Sequence, residues 1–337
     1  MSSIVRFWQR IVILLAAVLI CSGCTKVFLP DVSNNPWQMI QVPTESNLLD
    51  IAFTDNLQHG WLVGSDATLL ESIDGGQNWQ PRSFSLEEGE KARFNSVSFT
   101  GAEGWIVGEP SILLHTEDEG KTWSRIPLPD KLPGSPFSIV ALGPHSAEMT
   151  TNVGAIYRTA DDGQTWKAMV TEAVGFFRNL NRSSDGKYVA VSARGNFYSV
   201  WEPGQSAWTP YNRNSSRRVQ NMGFSPTGQL WMLARGGQVQ FNDPNNPDEW
   251  QKPFNPEYST SWGLLDLAYR TPNEIWLAGG SGNLLCSFDG GKTWQKDRVI
   301  ENVPSNLYKI VFLSPEKGFI IGQRGILLRY ENSAKTA

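Results

Sequence analysis

A seven-bladed, all-β propeller of four-stranded antiparallel blades is the fold class this sequence predicts, and three observations carry the prediction. Tryptophans stand at 37, 79, 123, 166, 208, 250 and 294, separated by 42, 44, 43, 42, 42 and 44 residues, the ~40–45-residue period of a propeller blade. Between these beats, short alternating apolar segments are bounded by turn residues, as in half-buried strands. The chain also ends one strand short and begins with a strand to spare, so its two ends can complete one blade and leave no open sheet edge.

At the start of the chain, Arg6 and Arg10 precede the apolar run Ile11–Ile20, and Cys21-Ser-Gly-Cys24 follows. Residues 1–23 read as a leader. Their ending resembles a bacterial lipobox, with Cys21 where that pattern usually has Leu, and implies cleavage before Cys24 with a lipid on its thiol. The apolar run is shorter than the ~20 residues of a membrane span. Residues 24–36 are a polar, lipid-bearing connector, and 37–337 a single propeller.

Each unit then predicts strands a to d. The first has Leu48–Phe53, Gly60–Gly64, Thr68–Ser72 and Asn78–Phe84; the second Phe94–Phe99, Gly104–Gly108, Ile112–Thr116 and Thr122–Ile126; the third Phe137–Leu142, Glu148–Asn152, Ala155–Thr159 and Thr165–Val170. Units four and five keep the strands while their turns diverge: Phe176–Leu180, Tyr188–Ser192, Phe197–Trp201 and Trp208–Tyr211, then Val219–Phe224, Gln229–Ala234, Val239–Asn242 and Trp250–Pro253. Unit six is Leu264–Tyr269, Glu274–Ala278, Leu284–Phe288 and Thr293–Arg298. The last unit has only Leu307–Phe312, Gly318–Gly322 and Ile326–Tyr330, and Trp37–Val42 supplies its fourth strand.

Composition agrees. Hydrophobic residues make up 40% of the chain, with 14 Trp and 16 Phe for a core and 31 Gly and 20 Pro for tight turns. Of three cysteines, Cys21 leaves with the leader and Cys24 is capped, so Cys286 stands alone as a small buried hydrophobe and no disulfide framework is expected.

Four tryptophans close near-copies of one motif: Ser72-Ile-Asp-Gly-Gly-Gln-Asn-Trp79, Thr116–Trp123, Thr159–Trp166 and Ser287–Trp294. The motif is similar to the Asp-box of neuraminidase-type propellers. It reads as a turn between strands c and d. Asp74, Asp118, Asp161 and Asp289 accept backbone N–H bonds, glycine permits a left-handed turn, and Trp79, Trp123, Trp166 and Trp294 pack between blades. These aspartates sit in separate blades and form no local cluster of oxygen ligands. His59, His115 and His145 lack metal-site spacing and read as turn and packing residues; no metal or cofactor is expected.

Because strands alternate in direction, a–b and c–d turns share one face of the disc, and b–c and d–a turns the other. The stretch from Glu172 to Gln240 carries seven arginines and Lys187 against three acids, in a chain of formal charge −4. Arg194, Arg235 and Arg324 fall at equivalent b–c turns, while Arg213, Arg217 and Arg218 lie in the d–a connection into blade five. Arg178 begins strand a of blade four, and Arg182 approaches the opposite end. The preference for Arg over Lys points to bidentate recognition of carboxylates or other anions, and all eight arginines are candidate partner-binding residues. An exported, net acidic body argues against nucleic acid.

Signs of catalysis are thin. No Gly-x-Ser-x-Gly elbow, phosphate loop or dinucleotide fingerprint is present, and Glu109 at a b–c turn is one carboxylate rather than a glycosidase pair. The lipobox, the connector, the Trp37 strand, the four Asp-boxes and the arginine-rich middle blades together resemble the photosystem II stability and assembly factor family of cyanobacteria and chloroplasts. The resemblance implies a monomeric, lipid-anchored protein on the lumenal side of the thylakoid membrane. It would bind newly made photosystem II reaction-centre precursors and aid assembly and repair without catalysis, and its arginine face resembles Arg178, Arg194, Arg217, Arg218 and Arg235 here. A sialidase-like Asp-box hydrolase, or an envelope carbohydrate- or protein-binding propeller, stands as the alternative.

Overall fold

The computed structural model of the protein describes residues 29–331 except 85–90, 130, 171–173, 214, 244–245, 247–248, 258–262 and 301. Cys24 and the leader therefore lie outside the described residues. Seven antiparallel sheets are arranged as blades, and the innermost strand of each lines a central channel of about 650 Å³. Among the described residues no helix is long and apolar enough to cross a membrane.

The ring closes as the two chain ends require. Trp37–Ile40 runs antiparallel to Leu327–Tyr330, pairing Trp37 with Tyr330 and Ile40 with Leu327, so the last blade takes its outer strand from the start of the chain. Trp37 is 4% exposed and meets Trp276, Tyr330 and Phe312 at centroid distances of 5.4, 5.3 and 5.8 Å. Residues before it are docked as well. Val32 donates its N–H to Lys296 O and Lys296 N–H to Pro30 O, while Arg298 pairs with Asp31 at 2.7 Å, laying this segment along the outer strand of blade six.

The repeated Trp lies in apolar layers between neighbouring blades. Trp123 packs edge-on against Trp61 of the preceding blade and Trp166 against Trp105, while Trp294 joins Trp231 and Leu233. The Asp-box holds that Trp in place. In the first, Asp74 Oδ1 accepts Ser72 O–H at 2.9 Å and the N–H groups of Gln77 and Asn78 at 3.0 Å, and Trp79 Nε1 donates to Gly76 O. Thr122, Thr165 and Thr293 complete the same turn on Asp118, Asp161 and Asp289. Gly76 has φ +87°, and a Cβ there would stand 2.5 Å from the Phe319 ring, so glycine is required by both conformation and space.

Several elements depart from expectation, beginning with the outer strands of blades one, two and six, which are the two-residue strands Gln80–Pro81, Ser124–Arg125 and Gln295–Lys296 and start after the Trp. The outer segment of blade five forms no continuous ladder: Asn242 pairs with Trp250 and Val239 with Phe254 through isolated bridges, leaving a three-stranded sheet. Asp243-Pro244-Asn245-Asn246-Pro247 replaces the Asp-box here, and Pro253 has no N–H to offer a ladder. In blade four the inner strand begins at Phe177 rather than Phe176; Phe177 is buried, whereas Phe176 is 65% exposed.

Candidate partner-binding face

Six of the eight candidate arginines gather where the b–c and d–a turns of blades four and five meet. Arg218 donates from Nη1 to the carbonyl of Arg194 at 2.7 Å, Arg213 to that of Arg217 at 2.8 Å, and Arg217 to that of Arg235 at 3.4 Å. Arg178 reaches across the blade boundary to Val219 O and Gln220 Oε1. The backbone adds Arg235 N–H to Arg218 O. The guanidiniums of Arg178, Arg213, Arg217 and Arg218 are thus tethered by carbonyls, which orients them without cancelling their charge, while Arg194 and Arg235 lend their carbonyls to the arrangement. Among the described residues none of the six has a carboxylate within ion-pairing distance, although ion pairs are plentiful elsewhere in the ring. Partial burial and then the charges of Arg235 and Arg218 push the Arg178 pKa below its usual value; an anion placed among these groups would relieve that repulsion.

The other two stand apart. Arg182, at the opposite end of blade four, is spent on an internal network: its Nε donates to buried Glu148 at 3.0 Å and its guanidinium lies over the Tyr188 ring. Arg324 keeps its b–c turn and its exposure but sits at the boundary of blades seven and one, its N–H facing Asn47 Oδ1.

The chain resembles known proteins along nearly its whole length. The family described as photosynthesis system II assembly factor YCF48 matches over residues 29–331. The chain belongs to this family. A relative from Trichormus variabilis, called photosystem II assembly lipoprotein Ycf48, is 66% identical over 335 residues, covering 99% of this chain and 98% of its own. Another from Thermosynechococcus vestitus is 63% identical over 302 residues, covering 90% and 86%. Among solved structures, one titled "YCF48 bound to D1 peptide" superposes with a TM-score of 0.89 at 60% identity, covering 91% of this chain and 98% of that one. YCF48 from Cyanidioschyzon merolae superposes at 0.83 with 40% identity, covering 88% and 99%.

Within this YCF48-family ring, two features escaped the sequence reading. Exposed Phe176 stands beside the arginines, its carbonyl accepting Ala193 N–H; the Phe176-Phe177 pair hid which ring faces outward, because a one-residue shift of register exchanges the two. The second is a polar girdle on the channel wall. Every blade has a register shift near the start of its inner strand, and the residue that follows it reads Asp50, Ser96, Ser138, Asn179, Asn221, Asp266 and Lys309. Links run from blade to blade: Ser96 O–H to Asp50 at 2.8 Å, Asn221 to Asp266 at 2.9 Å, and Lys309 to Asp50 at 2.6 Å. These residues lie 13 to 17 positions after the preceding Trp, so the Trp beat alone does not bring the polar column into register.

Proposed function

We propose that this chain is a non-catalytic photosystem II assembly factor that captures an anionic segment of a newly made reaction-centre subunit, such as D1, on the face formed by Arg178, Arg194, Arg213, Arg217, Arg218 and Arg235. The observation carrying this reading is six exposed or half-exposed guanidiniums, four of them fixed by backbone carbonyls and all six lacking acidic partners among the described residues. Such a face costs little ordering on binding. Phe176 supplies an aromatic anchor beside it, the kind of residue that dominates binding energy at the centre of an interface. The D1-peptide complex of a 60% identical relative supports this choice of partner.

A docking role also fits the tyrosines that a sialidase-type mechanism would need. Tyr198 lies stacked on Tyr211 at 5.1 Å, and its hydroxyl accepts the Trp250 indole N–H, so it is committed to packing between blades. Relatives named as lipoproteins support a lipid on Cys24 and a lumenal, membrane-tethered position. With Leu29 docked at blade six through its carbonyl to Arg298, the tether from Cys24 would span at most ~18 Å, which holds that rim close to the membrane.

The test is binding of a fluorescent D1 peptide to the Arg217→Glu, Arg218→Glu double variant across a salt series. We expect affinity to fall at least tenfold and the salt dependence to flatten, with an unchanged circular dichroism spectrum. Equal affinity and an equal salt slope would refute the assignment of the face.

A further inference from the structure

Far from the arginines, on the Asp-box face at the boundary of blades two and three, the fold gathers residues that are distant in sequence. His115 comes from strand c of blade two and Glu103 from the start of its strand b. His145 comes from the a–b turn of blade three, and Asp162 from its Asp-box, directly after Asp161. His145 Nδ1 lies 2.8 Å from Asp162 Oδ1, and His115 Nε2 lies 3.2 Å from Glu103 Oε1 and 3.9 Å from Asp162 Oδ1. One ligand atom each from Glu103, His145 and Asp162 falls within a 4.8 Å sphere of separations, as does one each from His115, Glu117 and Asp162.

The decisive atom is His115 Nε2. The His115 side chain is 94% buried, and Nε2 makes no hydrogen bond despite its neighbours. Both Glu103 oxygens are engaged elsewhere, Oε1 by the Trp105 indole N–H at 3.2 Å and Oε2 by His145 N–H at 2.7 Å. Trp105 stacks on the imidazole at 3.9 Å and fixes its plane. The same positions one blade earlier give the contrast. There the pair is reversed, His59 just before strand b and Glu71 on strand c, and it closes in an ordinary 2.7 Å contact. The blade-one pair is satisfied, whereas the blade-two pair leaves a buried nitrogen without a partner, which is costly unless something else binds it.

We propose that His115, His145, Asp162 and Glu103 form a binding site for one divalent transition-metal ion of the zinc class, pinning blade two to blade three. Two imidazole nitrogens with carboxylate oxygens and no thiolate suit a borderline ion rather than calcium or magnesium. Two neutral imidazoles and two carboxylates also balance a dication. Ligands at ~2.0–2.1 Å around a tetrahedral ion stand about 3.3 Å apart; the pairs at 2.8, 3.2 and 3.9 Å lie around that value, and the two triads share Asp162, so the largely exposed His145 side chain must swing to bring both imidazoles onto one ion. His145 Nδ1–H donates to Asp162 at 2.8 Å, and a metal taking the place of that proton would open the contact by about half an ångström. Trp105 and the His145 amide orient Glu103, as outer partners do in metal sites. A cavity of about 490 Å³ lined by His115, Glu117 and Asp162 supplies the entry path.

The test is equilibrium dialysis of the full-length chain against Zn(II), followed by metal analysis, in a Cys21→Ser, Cys24→Ser background that removes competing thiols; Cys286 is fully buried. We expect one zinc per chain, at least tenfold weaker retention in His145→Ala and in Asp162→Asn, and unchanged retention in His59→Ala. His145 is largely exposed, so its variant tests ligation without a core defect, and melting curves with and without zinc check that each variant folds. No stoichiometric zinc in the parent, equal zinc in His145→Ala, or preference for calcium over zinc would overturn the proposal.

Discussion

Replacing Trp37 with alanine is the sharpest test of how the ring is held shut. The indole is 4% exposed and sits edge-on to Trp276 and Tyr330, joining the strand from the chain start to blades six and seven. A buried Trp side chain removes ~200 Å² from water, worth about 5 kcal/mol at ~25 cal/mol per Å² as an upper figure. Truncations of this kind cost about 3–5 kcal/mol. The Trp37 indole N–H has no hydrogen-bond partner, so no polar term adds to the packing loss, and we expect about 4 kcal/mol. In a domain of this size that is a fall in Tm of roughly 8 °C, with a matching drop in the urea midpoint read by far-UV circular dichroism. Met39, on the same strand but 43% exposed, is the control: Met39→Ala should cost under about 1 kcal/mol. Combining Trp37→Ala with Tyr330→Ala should cost less than the sum of the two, because both remove one aromatic contact. Equal, small effects at Trp37 and Met39 would refute closure by this strand, as would an unchanged Tm after deletion of residues 25–45.

Two further outcomes follow from buried and hydrogen-bonded groups. In the Asp-boxes, burial raises the Asp74 and Asp118 carboxyls but hydrogen bonds from Asn78 and Thr122 outweigh it, and Thr293 lowers Asp289; all three are held at about 2. Their stabilisation is therefore present above pH ~4 and lost as pH falls toward 2. Asp266 has the opposite sign. Burial pushes it up to about 6 against bonds from Ile310 N–H and the Lys309 charge, so its contribution is complete below pH ~4 and lost as pH rises through 6. Melting temperatures from pH 2 to 7 should show both arms, and Asp266→Asn should flatten only the upper one; an unchanged upper arm would exclude Asp266 as its source. Cys286 is fully buried, and burial followed by the Glu274 charge raises its thiol pKa, so a thiol reagent should label it only at the rate of unfolding. Rapid labelling of the native protein would contradict that packing.

Most of the fold was legible because the repeat is written in residues whose role is local. An Asp-box makes its turn from eight consecutive residues, and its Trp must pack on whichever blade precedes it. The period therefore gave blade count, closure and the face of each turn. Blade five was misjudged at its outer strand because the decayed motif left a proline-rich segment whose pairing no local rule decides. Phe176 was misplaced for a related reason, since two adjacent phenylalanines satisfy a strand pattern in either register and only packing selects one. The arginines were readable as a cluster from charge alone. Their sorting was not, because Arg182 and Arg218 differ in what the fold sets against them: buried Glu148 for one, the carbonyl of Arg194 for the other.

The sequence by itself determined the architecture: seven Trp-marked units, a borrowed strand, and a positive stretch in the two least regular blades. Closing the ring decided the chemistry. It set Arg178 against Arg218 and Arg235, drew one polar residue of each inner strand into one girdle, and carried Asp162 of blade three to 3.9 Å from His115 of blade two. His115 and Asp162, 47 residues apart in sequence, meet only because neighbouring blades are stacked, and no spacing rule for a single helix or loop anticipates a site shared between repeats.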